Sequence, residues 1–121
     1  RAADLYVFPS VTESFGHSLV EAMAYGLPIA ASGTNVHREV CAEAAVYFDT
    51  FDPADCAETI LSVLDEKKRR RELARRAGRR AERFSWRTYT EGLADILRRT
   101  ARAEGAERSA VLSRPPEPGR E

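Results

Sequence analysis

Two carboxylates, those of Glu13 and Glu21, stand on either side of Gly16 in the segment whose residue types best suit ligand chemistry. A helix entered near Gly16 offers backbone N–H groups and a positive dipole end, both of which stabilise an anion. At a rise of about 1.5 Å per residue, two side chains spaced like Glu13 and Glu21 are roughly 12 Å apart along a helix axis. Carboxylates also accept hydrogen bonds from vicinal hydroxyls. The spacing therefore suits a nucleotide diphosphate sugar, with the phosphates at the amides, one carboxylate at the sugar and the other at the ribose.

Alternating strands and helices are predicted to position these carboxylates. Short apolar runs predict buried strands at residues 4–9, 28–32 and 45–49. A helix is expected from Gly16 to Tyr25, where Gly26 and Pro28 end it, and a helical turn is expected over residues 36–41. This order predicts an α/β fold with a parallel sheet.

Helices alone are predicted beyond Asp52, which caps a helix that has Pro53 at its first position. A second helix crosses the arginine-rich stretch, and a third begins near Ser85. The faces expected to pack on the sheet and on each other consist of apolar residues at helical spacing: Ala57, Ile60, Leu61 and Leu64 in the first helix, Leu73, Ala77, Ala81 and Phe84 in the second, and Trp86, Tyr89, Leu93, Ile96 and Leu97 in the third.

The composition fits one globular domain: 121 residues, 43% hydrophobic and 31% charged. No apolar run approaches the roughly 18 residues of a membrane-spanning helix. We expect an ordered domain over residues 1–103 and a disordered tail over residues 104–121, where Gly, Ser and Pro cannot build a core. Three strands are few for an open α/β sheet, so we expect further strands before Arg1 in a longer protein.

The string of residues 13–32, ESFGHSLVEAMAYGLPIAAS, resembles the ExFGxxxxExMAxGxPxxxS motif of the retaining glycosyltransferases with the GT-B architecture, called glycosyltransferase family 4 or group 1. Two further segments, one around Glu39 and one over residues 80–97, also resemble the family. All fixed positions of the motif are filled: Glu13, Phe15, Gly16, Glu21, Met23, Ala24, Gly26, Pro28 and Ser32.

The resemblance implies a chain that forms the second half of a Rossmann-like C-terminal domain, which holds the donor nucleotide sugar. By the same resemblance Glu13 binds the hydroxyls of the donor sugar and is the catalytic candidate, and Glu21 binds the ribose. The backbone around Ser14, Phe15, Gly16 and His17 faces the sugar and diphosphate. The family's reaction retains anomeric configuration without a metal or other cofactor. Its basic diphosphate-binding pair, and the domain that binds an acceptor saccharide or lipid-linked acceptor, are not found in these 121 residues.

Each candidate residue also has a structural interpretation. Glu13 and Glu21 suit a turn and a solvated helix position. His17 suits either a ligand contact or packing at the helix entry, whereas His37 is expected in a loop. The aspartates at positions 49, 52 and 55 have a spacing that suggests a cation site, but a strand end and a helix cap account for Asp49 and Asp52, so no metal is predicted.

The two cysteines, Cys41 and Cys56, have no metal-ligand spacing around them. They fit free thiols in a reducing compartment better than a disulfide. A cytoplasmic protein is therefore predicted.

Charge is distributed unevenly along the chain. Residues 1–65 contain two basic and ten acidic side chains, and residues 66–121 contain seventeen and nine. Residues 67–83 alone contain ten basic side chains, which suit a solvated helical face or peripheral contact with the inner face of a membrane. The alternative to an enzyme is a basic helical module that binds anionic lipid or nucleic acid. Nucleic acid is not the expected partner, because aromatic side chains do not interleave with this stretch.

Overall fold

The computed structural model describes residues 3–112, with side chains as far as residue 103. Contacts divide this part of the chain into two compact units, one ending at Ser85 and the other beginning at Trp86. The elements of the first unit, in chain order, are β1 (Tyr6–Phe8), α1 (His17–Ala24), β2 (Ile29–Ser32), α2 (Asn35–Cys41), a 3-10 helix (Ala42–Ala44), β3 (Ala45–Phe48), α3 (Pro53–Leu64) and α4 (Lys67–Ala81). The second unit contains α5 (Trp86–Leu112).

The three strands form a parallel sheet in the order β1-β2-β3. In the central strand, Ile29 pairs with Tyr6 on one side and with Ala45 on the other. All four residues of β2 are buried, as expected for a central parallel strand covered on both faces. The predicted α/β class and the order of its elements are confirmed.

The core lies between the sheet, α1 and α4. Leu19 and Met23 of α1, Ile29 of β2 and Ala77 of α4 are completely buried in one cluster. The small side chain of Ala77 allows α4 to approach α1 closely, and the two helices are in contact. The predicted apolar face of α4 is therefore confirmed, although this helix is otherwise rich in arginine.

The predicted face of α3 was right for Ile60 and Leu64, which are half-buried, and wrong for its other two residues. Val63 is the buried residue of this helix, whereas Leu61 is 56% exposed and Ala57 is also exposed. Val63 continues a row of less exposed positions that begins at Cys56 and passes through Ile60. Several rows of α3 contain apolar residues, so the periodic pattern alone did not decide which row turns toward the sheet.

The helix α5 differs from expectation in two ways. Residues 104–112, expected to be disordered, continue the helix to Leu112, because alanine, arginine and glutamate favour helix. Residues 113–121 of the expected tail lie outside the described residues. The apolar face expected to be packed is exposed, at 81% for Trp86 and 60% for Ile96. In the described part of this unit α5 is the single element, so nothing within the unit covers that face.

Among the helices of residues 3–112, none combines the length and the apolar character needed to cross a bilayer.

The turn between α2 and β3 holds a strained residue. Ala42 adopts φ 49° and ψ −122°, a conformation that costs a residue with a Cβ of order 1–3 kcal/mol. Its carbonyl oxygen accepts a hydrogen bond of 2.6 Å from the Tyr47 hydroxyl, which holds the turn in place.

We expect Ala42→Gly to raise the free energy of unfolding by about 1 kcal/mol, because the relief of strain exceeds the added entropy of the unfolded chain. Denaturant unfolding measures the change. The matched control is Ala57→Gly on the exposed side of α3, which should lower stability by about 1 kcal/mol. A loss of stability in both variants would contradict the strain assigned to Ala42.

Candidate functional site

Gly16 makes the connection from β1 into α1 possible. It caps α1 in the left-handed conformation, with φ 80°. A Cβ atom at this position would lie 3.0 Å from Cδ1 of Leu19 and 3.8 Å from Cε1 of Phe8. Glycine is therefore favoured by both its backbone conformation and the limited space.

The N-terminus of α1 has the features of an anion-binding site. Its N-cap residue, Gly16, has no side chain that could cap it, no other described side chain does so, and its first turn contains no acidic residue. It follows the loop that leaves the carboxyl end of β1, the edge at which open parallel sheets bind ligands. The first amides and the positive dipole end of α1 can therefore bind a phosphate or a carboxylate.

The two glutamates lie on different elements beside this terminus. Glu13 is half-buried in the loop, where its Oε1 accepts a hydrogen bond of 3.1 Å from Oγ of Ser10. Glu21 is exposed in the middle of α1. The predicted axial distance of about 12 Å between Glu13 and Glu21 holds only for a continuous helix. Since α1 begins at His17, the helical rise from His17 to Glu21 is about 6 Å. The loop determines the remaining separation.

The other predicted site residues lie around the helix entry. Ser14 and His17 are exposed, and Phe15 is half-buried. The ring of Phe15 meets those of His17 and Phe84 edge-on, with centroids 5.0 and 5.7 Å apart. This contact gives His17 a packing role at the helix entry. Contact of these residues with a ligand stays a prediction.

The expectation that His37 lies in a loop was wrong. His37 belongs to α2 and is completely buried, with its ring edge-on to Phe8 at 5.1 Å between centroids. Its neighbours Arg38 and Glu39 suggested a surface position. The helical spacing of His37 with Val40 and Cys41, both of them buried, is the sequence signal that could have placed it inside.

A chain of polar contacts, buried at His37 and Ser32 and partly buried at Ser10 and Glu13, connects α2 with the loop before α1. The Nδ1 atom of His37 lies 2.8 Å from the carbonyl oxygen of Ser32 and 3.0 Å from its Oγ. The Ser32 hydroxyl donates to the carbonyl oxygen of Ser10. Ser10 in turn contacts Glu13. Hydrogen bonds therefore link His37 of α2 and Ser32 of β2 with Ser10 and Glu13 of the loop. Among these residues, only Glu13 and Ser32 belong to the motif recognised in the sequence.

The three aspartates after β3 serve the backbone. Asp52 caps α3 by accepting hydrogen bonds from the amides of Ala54 and Asp55, at 2.8 and 3.2 Å. Asp49 accepts from the amide of Phe51, and Asp55 from the amide of Asp49, at 2.9 and 2.6 Å. The strand-end and cap interpretation is confirmed. Within residues 3–112, no group of three or more His, Cys, Asp or Glu side chains could hold a metal ion.

Several arginines of α4 are engaged within the protein. Glu72 binds Arg75 at 2.5 Å and Arg76 at 2.8 Å, and these hydrogen bonds lower the pKa of Glu72 to about 2. Arg80 donates to the carbonyl oxygens of Glu39 and Val40, at 2.6 and 2.9 Å, near the end of α2. The basic stretch therefore makes stabilising contacts within the protein in addition to forming a charged surface.

Residues 1–81 match the family model described as glycosyl transferases group 1. The chain belongs to this family. A D-inositol 3-phosphate glycosyltransferase of Thermomonospora curvata is 34% identical over 116 residues, covering 94% of this chain and 27% of the relative. One of Salinispora tropica is 40% identical over 101 residues, covering 79% of this chain and 20% of the relative.

The structure of sucrose-phosphate synthase from Thermosynechococcus elongatus matches with a TM-score of 0.77 and 27% identity, covering 84% of this chain and 26% of that one. The similarity to GT-B group 1 glycosyltransferases indicated by the motif is thus confirmed. This chain spans about a quarter of the length of these relatives.

Both cysteines are free thiols, as expected, but their surroundings differ. Cys41 is completely buried, and this burial raises the pKa of its thiol to about 11, although the nearby Arg80 charge acts in the opposite direction. Cys56 is partly exposed on α3.

At pH 8 we expect iodoacetamide to alkylate Cys56 and to spare Cys41. A raised pKa keeps the Cys41 thiol protonated below about pH 11, and the thiolate is the reactive form. Mass spectrometry of the labelled peptides measures each rate, and labelling in denaturant, where both cysteines should react, is the control. Equal rates in the native protein would contradict the burial of Cys41.

Proposed function

We propose that this chain provides the donor-binding half of a retaining, metal-independent glycosyltransferase that transfers a sugar from a nucleotide-diphosphate sugar to an acceptor. The observation that carries the proposal is the uncapped N-terminus of α1, which lies between Glu13 in the preceding loop and Glu21 on the helix. Membership of the group 1 glycosyl transferases supports it.

The residues take complementary roles in this proposal. The diphosphate lies against the backbone of Ser14, Phe15, Gly16 and His17, where the helix dipole offsets its charge. Glu13 accepts hydrogen bonds from the sugar hydroxyls and so orients the anomeric carbon. Glu21, further along α1, accepts from the hydroxyls of the ribose.

The acceptor is a saccharide or a lipid-linked molecule, bound by parts of the protein beyond the residues described here. The relatives are named D-inositol 3-phosphate glycosyltransferases, so D-inositol 3-phosphate is the first acceptor to test. The reaction belongs in the cytoplasm in this proposal, where nucleotide sugars and reduced thiols occur together.

Peripheral membrane contact through residues 67–83 stays a prediction. Lys67, Lys68 and Arg71 are exposed and suit an anionic surface, at about 1 kcal/mol each at best. Against it, Arg75, Arg76 and Arg80 are engaged in contacts within the chain. The non-enzymatic alternative loses its main argument, because a module defined only by its basic helix would not belong to a glycosyl transferase family.

The two glutamates should fail in different ways when replaced in the protein as encoded by its gene. Glu21→Ala should weaken donor binding by about 1.5 to 3 kcal/mol through the lost hydrogen bond to ribose. Glu13→Ala should weaken binding of the nucleotide sugar through the lost contacts with the sugar hydroxyls and should also lower kcat, because the sugar is no longer positioned. Steady-state kinetics with UDP-, GDP- and ADP-sugars measure both effects.

The matched control for these variants is Glu58→Ala, which removes an exposed glutamate from α3 and should leave the kinetics unchanged. Wild-type donor affinity and turnover in both Glu13→Ala and Glu21→Ala would refute the assigned roles.

Transfer activity should survive EDTA, because the amides and dipole of α1 replace a divalent ion at the diphosphate. The assay compares initial rates with and without the chelator after dialysis. Complete loss of activity that manganese or magnesium restores would contradict metal independence while leaving the donor site itself in place.

A further inference from the structure

The polar chain that starts at His37 ends at the glutamate assigned to the donor sugar. We propose that Ser10, Ser32 and His37 form a positioning network that holds the Glu13 carboxylate in the orientation needed to bind the sugar. The inference rests on the proposed function, because it needs Glu13 to contact the sugar. None of the three residues is assigned a ligand contact.

The hydrogen-bond donors of the network determine the tautomer of His37. The Ser32 hydroxyl has one proton, and it donates this proton to the Ser10 carbonyl, which can only accept. The Oγ of Ser32 must therefore accept from Nδ1 of His37, 3.0 Å away. Nδ1 thus carries the ring hydrogen, which also points at the Ser32 carbonyl oxygen at 2.8 Å.

Burial protects the end of this chain formed by Ser32 and His37. Ser32 and His37 are both completely inaccessible to solvent. Hydrogen bonds in such surroundings are costly to break, because the separated donor and acceptor cannot form hydrogen bonds with water instead. They tie the carboxyl end of β2 to Ser10, which follows β1 in the loop. The loop position of Ser10 is therefore determined by the sheet and by α2.

Ser10 transfers this constraint to Glu13. Its hydroxyl lies 3.1 Å from Oε1 of Glu13 and 3.2 Å from the carbonyl oxygen of Thr12. A carboxylate is the stronger acceptor of the two, so the proton favours Glu13. One carboxylate oxygen is thereby held, and the other stays available for a sugar hydroxyl.

The second ring nitrogen of His37 argues against a role in packing alone. Nε2 is buried and has no hydrogen-bond partner among the described residues. With the hydrogen on Nδ1, Nε2 is an unsatisfied acceptor, which is unfavourable. An apolar ring would fill the same space without this cost. The donor at Nδ1 is therefore the property for which histidine suits this position.

The test compares two ligands that share the nucleotide and differ in the sugar. Glu13 contacts only the sugar in the proposal, so a positioning defect should weaken binding of the nucleotide sugar and spare the matching nucleoside diphosphate. We expect Ser10→Ala and His37→Phe to weaken nucleotide-sugar binding about tenfold, with diphosphate binding changed less than about twofold. Calorimetry on the protein as encoded by its gene measures both affinities.

Two further variants separate positioning from general damage. His37→Asn keeps an N–H donor near the place of Nδ1 and should recover much of the loss seen in His37→Phe. The double variant Ser10→Ala with Glu13→Ala should bind no worse than Glu13→Ala alone, because Ser10 acts through Glu13. The matched control is Ser62→Ala, which removes a serine hydroxyl on α3 that donates to the Thr59 carbonyl at 2.8 Å.

The outcomes distinguish this inference from the proposed function. If the wild type binds no nucleotide sugar, both are overturned. If Glu13→Ala lowers nucleotide-sugar binding but Ser10→Ala does not, only the network is overturned. Equal weakening of both ligands in Ser10→Ala, or additive losses in the double variant, would likewise refute the positioning role. Because Ser10 is only half-buried, its variant tests the inference even if His37→Phe does not fold.

Discussion

The four residues of β2, Ile29–Ser32, are buried on both faces of the sheet and pair with a parallel strand on each side. Burial on both faces requires helices that cover the sheet, and α1, α3 and α4 each contact this strand. Parallel pairing also brings the carboxyl ends of the strands to one edge. The loop of Glu13, the start of α1 and the polar end of β2 meet at this edge because β1 and β2 run in the same direction.

The last residue of β2 is polar, whereas the rest of this strand is apolar. The strand closes with Ser32, whose hydroxyl is completely buried and joins His37 of α2 to the carbonyl of Ser10. A buried hydroxyl is tolerated only when its hydrogen bonds are satisfied, and here both neighbours contribute. The same bonds that satisfy Ser32 restrain the loop before α1. Stability and the geometry of the candidate site therefore depend on one set of contacts.

The arginine-rich helix α4 contacts the sheet, α2 and the residue that packs at the entry of α1. Leu73 and Ala77 are buried, while Arg80 donates to the carbonyl oxygens of Glu39 and Val40. The ring of Phe84, just after α4, meets Phe15 at the entry of α1. A helix that looks like a charged surface in the sequence thus positions both α2 and the start of α1.

The sequence by itself determined the order of strands and helices, the Asp52 cap, and the motif from Glu13 to Ser32, because these depend on local propensity, periodicity and residue type. The ligand roles of Glu13 and Glu21 stay predictions. Only the tertiary structure decided that Val63 rather than Leu61 is buried, and that His37 lies inside and connects to Ser10 through Ser32. These outcomes depend on which surfaces meet across the fold. Contacts between residues distant in the sequence decide which surfaces meet, and a local sequence pattern contains no information about those contacts.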